Sequence, residues 1–159
     1  MSFGGFFVAI LRSADTLCDM YAYLSGIVLE LEDGRLVIKP EGMGVGYEVL
    51  VTSLTIGNSR VGESKELFIH HHITDVSEAL FGFESLAEKA VFRKLLKVSG
   101  VGGKTALSLL SIGMLPLVRA IETGDEKVLG SVSGIGKKTA LKIIVELAKE
   151  VSTEDIMSE

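Results

Sequence analysis

The stretch LLKVSGVGGKTALSLL (Leu95–Leu110) returns as LGSVSGIGKKTALKII (Leu129–Ile144), 34 residues further on. The shared core is V-S-G-[VI]-G-x-K-T-A-L. Two copies make a chance match improbable, and the chain is too short for a long array. Each copy reads as helix, short turn, helix, with the turn spelled Gly100-Val101-Gly102 or Gly134-Ile135-Gly136. Gly100 and Gly134 can take positive φ without steric cost, and are expected to end the first helix abruptly. Val101 and Ile135 are apolar and anchor the turn in a core. Gly102 and Gly136 leave no side chain between the backbone and an approaching ligand. The second helix then starts with unpaired N–H groups and the positive end of its dipole, an anion site for which phosphate is the obvious occupant. Gly103, Lys104 and Thr105 in the first copy, and Lys137, Lys138 and Thr139 in the second, complete the set, with charge from the lysines and hydroxyl donors from the threonines.

Two other readings compete. A nucleotide-binding loop of the form G-x-x-x-x-G-K-[ST] fits Gly103-Lys104-Thr105 at its end, but position 98 is Val. In the second copy Lys138 follows Gly136-Lys137 and position 131 is Ser, so both copies fail. A glycine turn that only packs two helices is the plainer alternative, and duplication together with the lysines argues against it. Contacts from backbone amides to phosphates carry no base information, so binding is expected to be independent of sequence and sensitive to salt.

Charge supports a polyanion partner despite the net −5 of the whole chain. Between Arg93 and Lys149 stand ten basic and four acidic residues; the remainder holds six basic and seventeen acidic ones. A basic half joined to an acidic half is the asymmetry expected when one face meets nucleic acid. Cys18 is the only cysteine, which excludes an intrachain disulfide and fits a reducing, cytoplasmic setting. No apolar run approaches the length of a membrane span. Phe6–Leu11 is apolar but lacks a preceding basic residue, so it makes a poor signal peptide.

From Met20 to Phe83 the chain reads as strands: YAYLSGIVLELE, a turn at Asp33-Gly34, RLVIK, GMGVGYEVLV, ELFIHHHI and ALFGF. Five short strands with bend-forming glycines suit a small antiparallel barrel such as an OB-fold, and a five-stranded sandwich gives a similar string. After Phe83 the pattern turns helical. Ser85 and Glu88 form a capping box, Pro116 sits in a first helical turn, and Gly124 marks that helix's end. A last helix over Lys137–Glu150 puts Ala140, Ile143, Ile144 and Leu147 on one stripe. The fold class is therefore α+β, β then α. Its expected parts are an extension (1–19), a barrel domain (20–83), a tandem helix-hairpin-helix domain (84–151) and a loose acidic tail (152–159).

GVGYEV (Gly44–Val49), LFGF (Leu80–Phe83), FRKLLKVSGVGGKTAL and VSGIGKKTALKIIVEL together resemble the RuvA family in order and spacing, over about Met20 to Val151. The paired hairpins alone occur in many DNA repair proteins; coupled to the other two phrases they are specific. The resemblance implies an OB-fold that assembles a four-fold tetramer, singly or as two stacked tetramers. One face cradles a four-way (Holliday) junction, and two hairpins per subunit hold each duplex arm in recombination and repair. It also implies no catalytic site and no cofactor, with a RuvB-type hexameric ATPase as motor. Three features depart from the family pattern. Nineteen residues precede Met20. The acidic pin, an Arg-Glu-Asp stretch in the family, reads Thr74-Asp75-Val76, leaving Asp75 with Glu78 two residues beyond Val76. The motor-docking third domain is not written in this sequence.

His70-His71-His72 invites a metal, but alternation on a strand lets at most two share one, so an ordinary strand is expected. The rival functions are a general double-strand DNA-binding module of a repair nuclease or helicase, or a subunit with hidden catalysis. Metal-dependent catalysis needs a carboxylate cluster, and the acids here are scattered.

Overall fold

The computed structural model describes residues 20–152. The extension over 1–19, and the tail beyond Ser152, lie outside the described residues. Five strands, β1 (Tyr23–Glu32), β2 (Arg35–Lys39), β3 (Tyr47–Leu50), β4 (Ser64–Ile73) and β5 (Glu78–Phe83), form a closed barrel in the order β1-β2-β3-β5-β4. Closure leaves no open edge. A register shift between Val28 and Glu30 bends the ten-residue β1 around both of its partners. Gly26 is required beside it, because a Cβ there would stand 2.2 Å from the Lys39 carbonyl oxygen.

Two expectations for this half need amending. The barrel is not wholly antiparallel: β3 and β5 run parallel, with Leu50 opposite Phe81. A short helix, α1 (Ser53–Gly57), also interrupts what reads as a run of strands. Thr52 caps it, its hydroxyl accepting from the Thr55 N–H at 3.1 Å.

Five further helices follow: α2 (Leu86–Lys97), α3 (Gly103–Leu110), α4 (Met114–Thr123), α5 (Glu126–Gly130) and α6 (Lys137–Leu147). The last is three residues shorter than its sequence pattern, ending at Leu147 rather than Glu150. Ala140, Ile143 and Leu147 are buried on its inner stripe, with Ile144 packed partly against the core. The capping box at α2 forms in altered shape. Ser85 Oγ accepts from the Glu88 N–H at 3.1 Å, while the Glu88 carboxylate reaches past Ser85 to the Glu84 N–H at 3.0 Å. Gly124 stands at φ +71° after α4, the left-handed cap expected of it.

LFGF explains how the halves join. On β5 successive side chains alternate, so Phe81 and Phe83 face the helices while Gly82 faces the barrel. Phe81 and Phe83 lie within 4.9 Å and 4.8 Å of the Phe92 ring on α2, centroid to centroid. A Cβ on Gly82 would meet Val49 at 2.6 Å and Leu67 at 3.1 Å. The strand is thus buried on both faces. The helical core, built on Phe92, Leu95, Leu109, Leu117, Ile121 and Leu129, takes in Phe81 and Phe83 as well. The barrel has its own core around Val28, Leu36, Ile38, Leu67 and Ile69. The Ser53 N–H adds a tie between the halves, donating to Ser111 Oγ at 3.1 Å.

Candidate nucleic-acid interface

The sequence repeat is a structural repeat, bond for bond. In the first copy the Val101 N–H donates to the Val98 carbonyl at 3.0 Å; in the second Ile135 donates to Val132 at 3.0 Å. The third residue of each four-residue turn is the glycine, Gly100 at φ +94° and Gly134 at φ +87°, as type II turns require. These glycines therefore shape the turn rather than end the helix. α2 stops at Lys97 and α5 at Gly130, both short of the glycine. Ala106 then donates to Gly102 and Ala140 to Gly136, each at 2.9 Å, opening α3 and α6.

Gly102 and Gly136 are the N-caps of α3 and α6, in extended conformation and without a side-chain cap hydrogen bond. That leaves the first-turn N–H groups of Gly103, Lys104 and Thr105, and of Lys137, Lys138 and Thr139, without a side-chain acceptor from the cap. A Cβ on Gly102 or Gly136 would meet nothing within 4 Å, so the space in front of both caps is open. Val101 and Ile135 are buried beneath their turns, anchoring them as expected. The two turns are neighbours: a Cβ on Gly134 would lie 3.9 Å from the Thr105 hydroxyl. Two uncapped helix starts thus sit side by side.

Within the shared core the copies differ in size at Val101 and Ile135 and in kind at one position only. Gly103 occupies the place of Lys137, and a Cβ there would stand 2.4 Å from the Phe81 ring. The absent side chain seats the first hairpin on the barrel; the second hairpin, away from β5, carries an exposed lysine instead. Lys137 Nζ lies 3.6 Å from Glu126, a surface pair of little energetic weight. Lys104 and Lys138 are exposed.

Thr74–Ser77 forms a tight link between β4 and β5. The Ser77 N–H donates to Thr74 Oγ1 at 3.0 Å, and the Thr74 N–H to the Ser77 carbonyl at 2.8 Å. Asp75 and Val76 stand exposed at the tip, Val76 at 94%. Glu78 is not at the tip. It begins β5, and its carboxylate lies 2.6 Å from His71 Nε2. The three histidines alternate as expected: His71 faces the barrel interior, while His70 and His72 face Phe81. Among the described residues no group of three or more His, Cys, Asp or Glu is placed to hold a metal. Sequence reading did not find the His71–Glu78 contact, because the two residues meet only through the β4–β5 register. Nor did it find the cleft of about 730 Å³ between the β1–β2 turn, α3 and the second hairpin turn.

Residues 20–82 match the RuvA N-terminal domain, and residues 92–149 match the SAM-like helix-hairpin-helix tandem. Among curated proteins, the chain is 40% identical over 141 residues to the Holliday junction branch migration complex subunit RuvA of Clostridium botulinum (strain Eklund 17B / Type B), covering 87% of this chain and 70% of that protein. It is 36% identical to the protein of the same name from Listeria innocua, over 80% of this chain and 63% of that one. The corresponding figures for Dichelobacter nodosus are 35%, 86% and 67%.

Proposed function

The chain belongs to the RuvA family, and from that premise we propose that it binds four-way DNA junctions as a subunit of a branch-migration complex. The observation that carries the reading is the pair of adjacent, identically hydrogen-bonded helix starts behind Gly102 and Gly136, uncapped and facing open space. Each offers backbone amides and a helix dipole to one phosphate, with Lys104, Lys137 and Lys138 adding charge around them. Arranged around a four-fold axis, such pairs hold four duplex arms while the barrels and their β4–β5 links face the crossover. The role is binding and shaping of DNA; ATP hydrolysis belongs to a RuvB-type motor partner.

Competition binding with four-way, linear and single-stranded DNA of equal length tests this. Junctions are expected to win, and affinity to fall steeply with salt as condensed cations are released. Equal affinity for junction and linear duplex would favour the general double-strand module, and a flat salt response would remove backbone recognition altogether.

A further inference from the structure

Backbone gripping leaves unused a second groove, smaller than the cleft beside the second hairpin turn. It has a volume of about 500 Å³ and runs from Lys104, in the first turn of α3, to the barrel end of β5. Its lining includes Tyr21, Tyr47, Leu50, Glu78 and Leu80. The Tyr21 and Tyr47 rings stand 5.5 Å apart, tilted by 57°. Tyr21 meets the edge of His71 at 5.2 Å, and His71, its side chain only 2% exposed, holds Glu78 at 2.6 Å. The contacts from Tyr47 through Tyr21 and His71 to Glu78 brace this wall before any ligand arrives.

The groove therefore brings two aromatic rings and the Lys104 cation to a lining that also carries two carboxylates, Glu48 paired with Arg35 and Glu78 with His71. Its volume falls within the range of roughly 300–1,000 Å³ typical of small-ligand sites. It lies along β3 and β5 beside the β4–β5 link, one of the loops with which OB-fold barrels bind oligonucleotides. It is also continuous with the phosphate-gripping turn, because Lys104 belongs to both. An intact duplex cannot use it, since stacked bases present no free face. A base at a strand crossover has lost a stacking neighbour and costs least to extract.

We propose that the groove receives an unstacked nucleobase of the strand crossing between arms, the base lying against Tyr47 and Tyr21 while its phosphate stays on Lys104. The site deepens the junction-binding reading and rests on it. Ring stacking tolerates any base, so the capture is independent of sequence. It draws one strand out of its arm at the point where arms exchange strands.

The test uses the full chain bound to four-way junctions carrying 5-iodouracil at single positions. Irradiation is followed by mapping of the adducts by mass spectrometry, with a binding titration of each complex. Adducts are expected on Tyr47 or Tyr21 from crossover positions and not from positions inside the arms. Tyr47→Leu is expected to lower junction affinity by about fivefold or more, the scale of losing one base-stacking ring. Tyr47→Phe, which keeps the ring, restores it. Tyr21→Leu serves in its place if circular dichroism shows Tyr47→Leu misfolded. Adducts confined to hairpin residues, or absent while junction preference persists, overturn the groove alone. Equal binding of junction and duplex overturns the junction reading, and this proposal with it.

Discussion

Glycines in the repeat do three separable things, and single substitutions tell them apart. Gly134 needs positive φ, so Gly134→Ala is expected to lower stability by about 1–2 kcal/mol, the cost of a left-handed L-residue. Gly136 is extended with open space before it, so Gly136→Ala is expected to leave the melting temperature nearly unchanged. It nevertheless weakens DNA binding by about tenfold, the value of one hydrogen bond to a charged group. Gly102→Val likewise harms binding more than Lys104→Ala, which removes one charge among several. Thermal melts and DNA titrations on the same samples check both halves. A larger loss from Lys104→Ala, with folding intact, would show that charge rather than the amide cradle holds the phosphate. Gly103 is the third case. Its substitution by Ala pushes a methyl into the Phe81 ring and is expected to cost about 1–3 kcal/mol, whereas Lys137→Ala at the equivalent position leaves stability unchanged within about 0.5 kcal/mol. The sequence shows the duplication but not this asymmetry, because the reason for Gly103 lies on a strand 22 residues earlier.

Among the elements, those with a period were legible and those set by distant partners were not. α2 and α6 announce themselves by capping residues and an apolar stripe. α1 spans only Ser53–Gly57, less than two turns and too short for an apolar period to show; Thr55 is buried and Ile56 packs against the barrel core. The parallel pairing of β3 with β5 leaves no local signal, since it is decided by closure of the barrel rather than by either strand. Of the site, the glycine turns are legible to the residue, while the place of Glu78 is not: it begins β5 and meets His71 through the β4–β5 register. The start of α2 carries an electrostatic consequence. Burial lifts the Glu88 carboxyl above its ordinary value, outweighing the hydrogen bond from the Glu84 N–H and the influence of Lys65. A carboxyl raised in the folded state binds protons more tightly there, so its contribution is present at low pH and is lost as pH rises through the raised value. Glu88→Gln keeps an oxygen for the Glu84 N–H and removes the buried charge. It is expected to be more stable than the parent at pH 7, with the difference vanishing once Glu88 is protonated. Denaturant midpoints across this pH range measure it; a variant less stable at pH 7 would show that the charge itself matters for the cap.

At the scale of the whole molecule, the Asp75 carboxylates of four subunits gather near the junction centre in the proposed assembly. Charges of one sign near phosphates repel them, so Asp75→Asn is expected to tighten junction binding, and to do so most at low salt. With Val76 at the other tip position, the effect is smaller than a two-acid tip gives. An unchanged affinity would mean that the link no longer serves as a pin. The same assembly makes a hydrodynamic prediction: light scattering at micromolar concentration is expected to report a tetramer, and a monomer there would leave the four-arm geometry without a scaffold.

β5 has a bearing on how such a machine keeps its dimensions. At its start Glu78 follows the link that carries Asp75; three residues on, about 10 Å along the strand, Phe81 seats the first hairpin through Gly103. One short strand therefore acts as a gauge block between the exposed tip and the first hairpin, which in the proposed assembly meet the crossover and an arm. Because Gly82 is wedged into the barrel while its two phenylalanine neighbours are wedged into the helices, the gauge cannot slide by one residue without exchanging its faces. Adjustments of reach have to come from the link beyond the strand, so a proposed assembly of this chain would keep the same calibration however often its cargo moved.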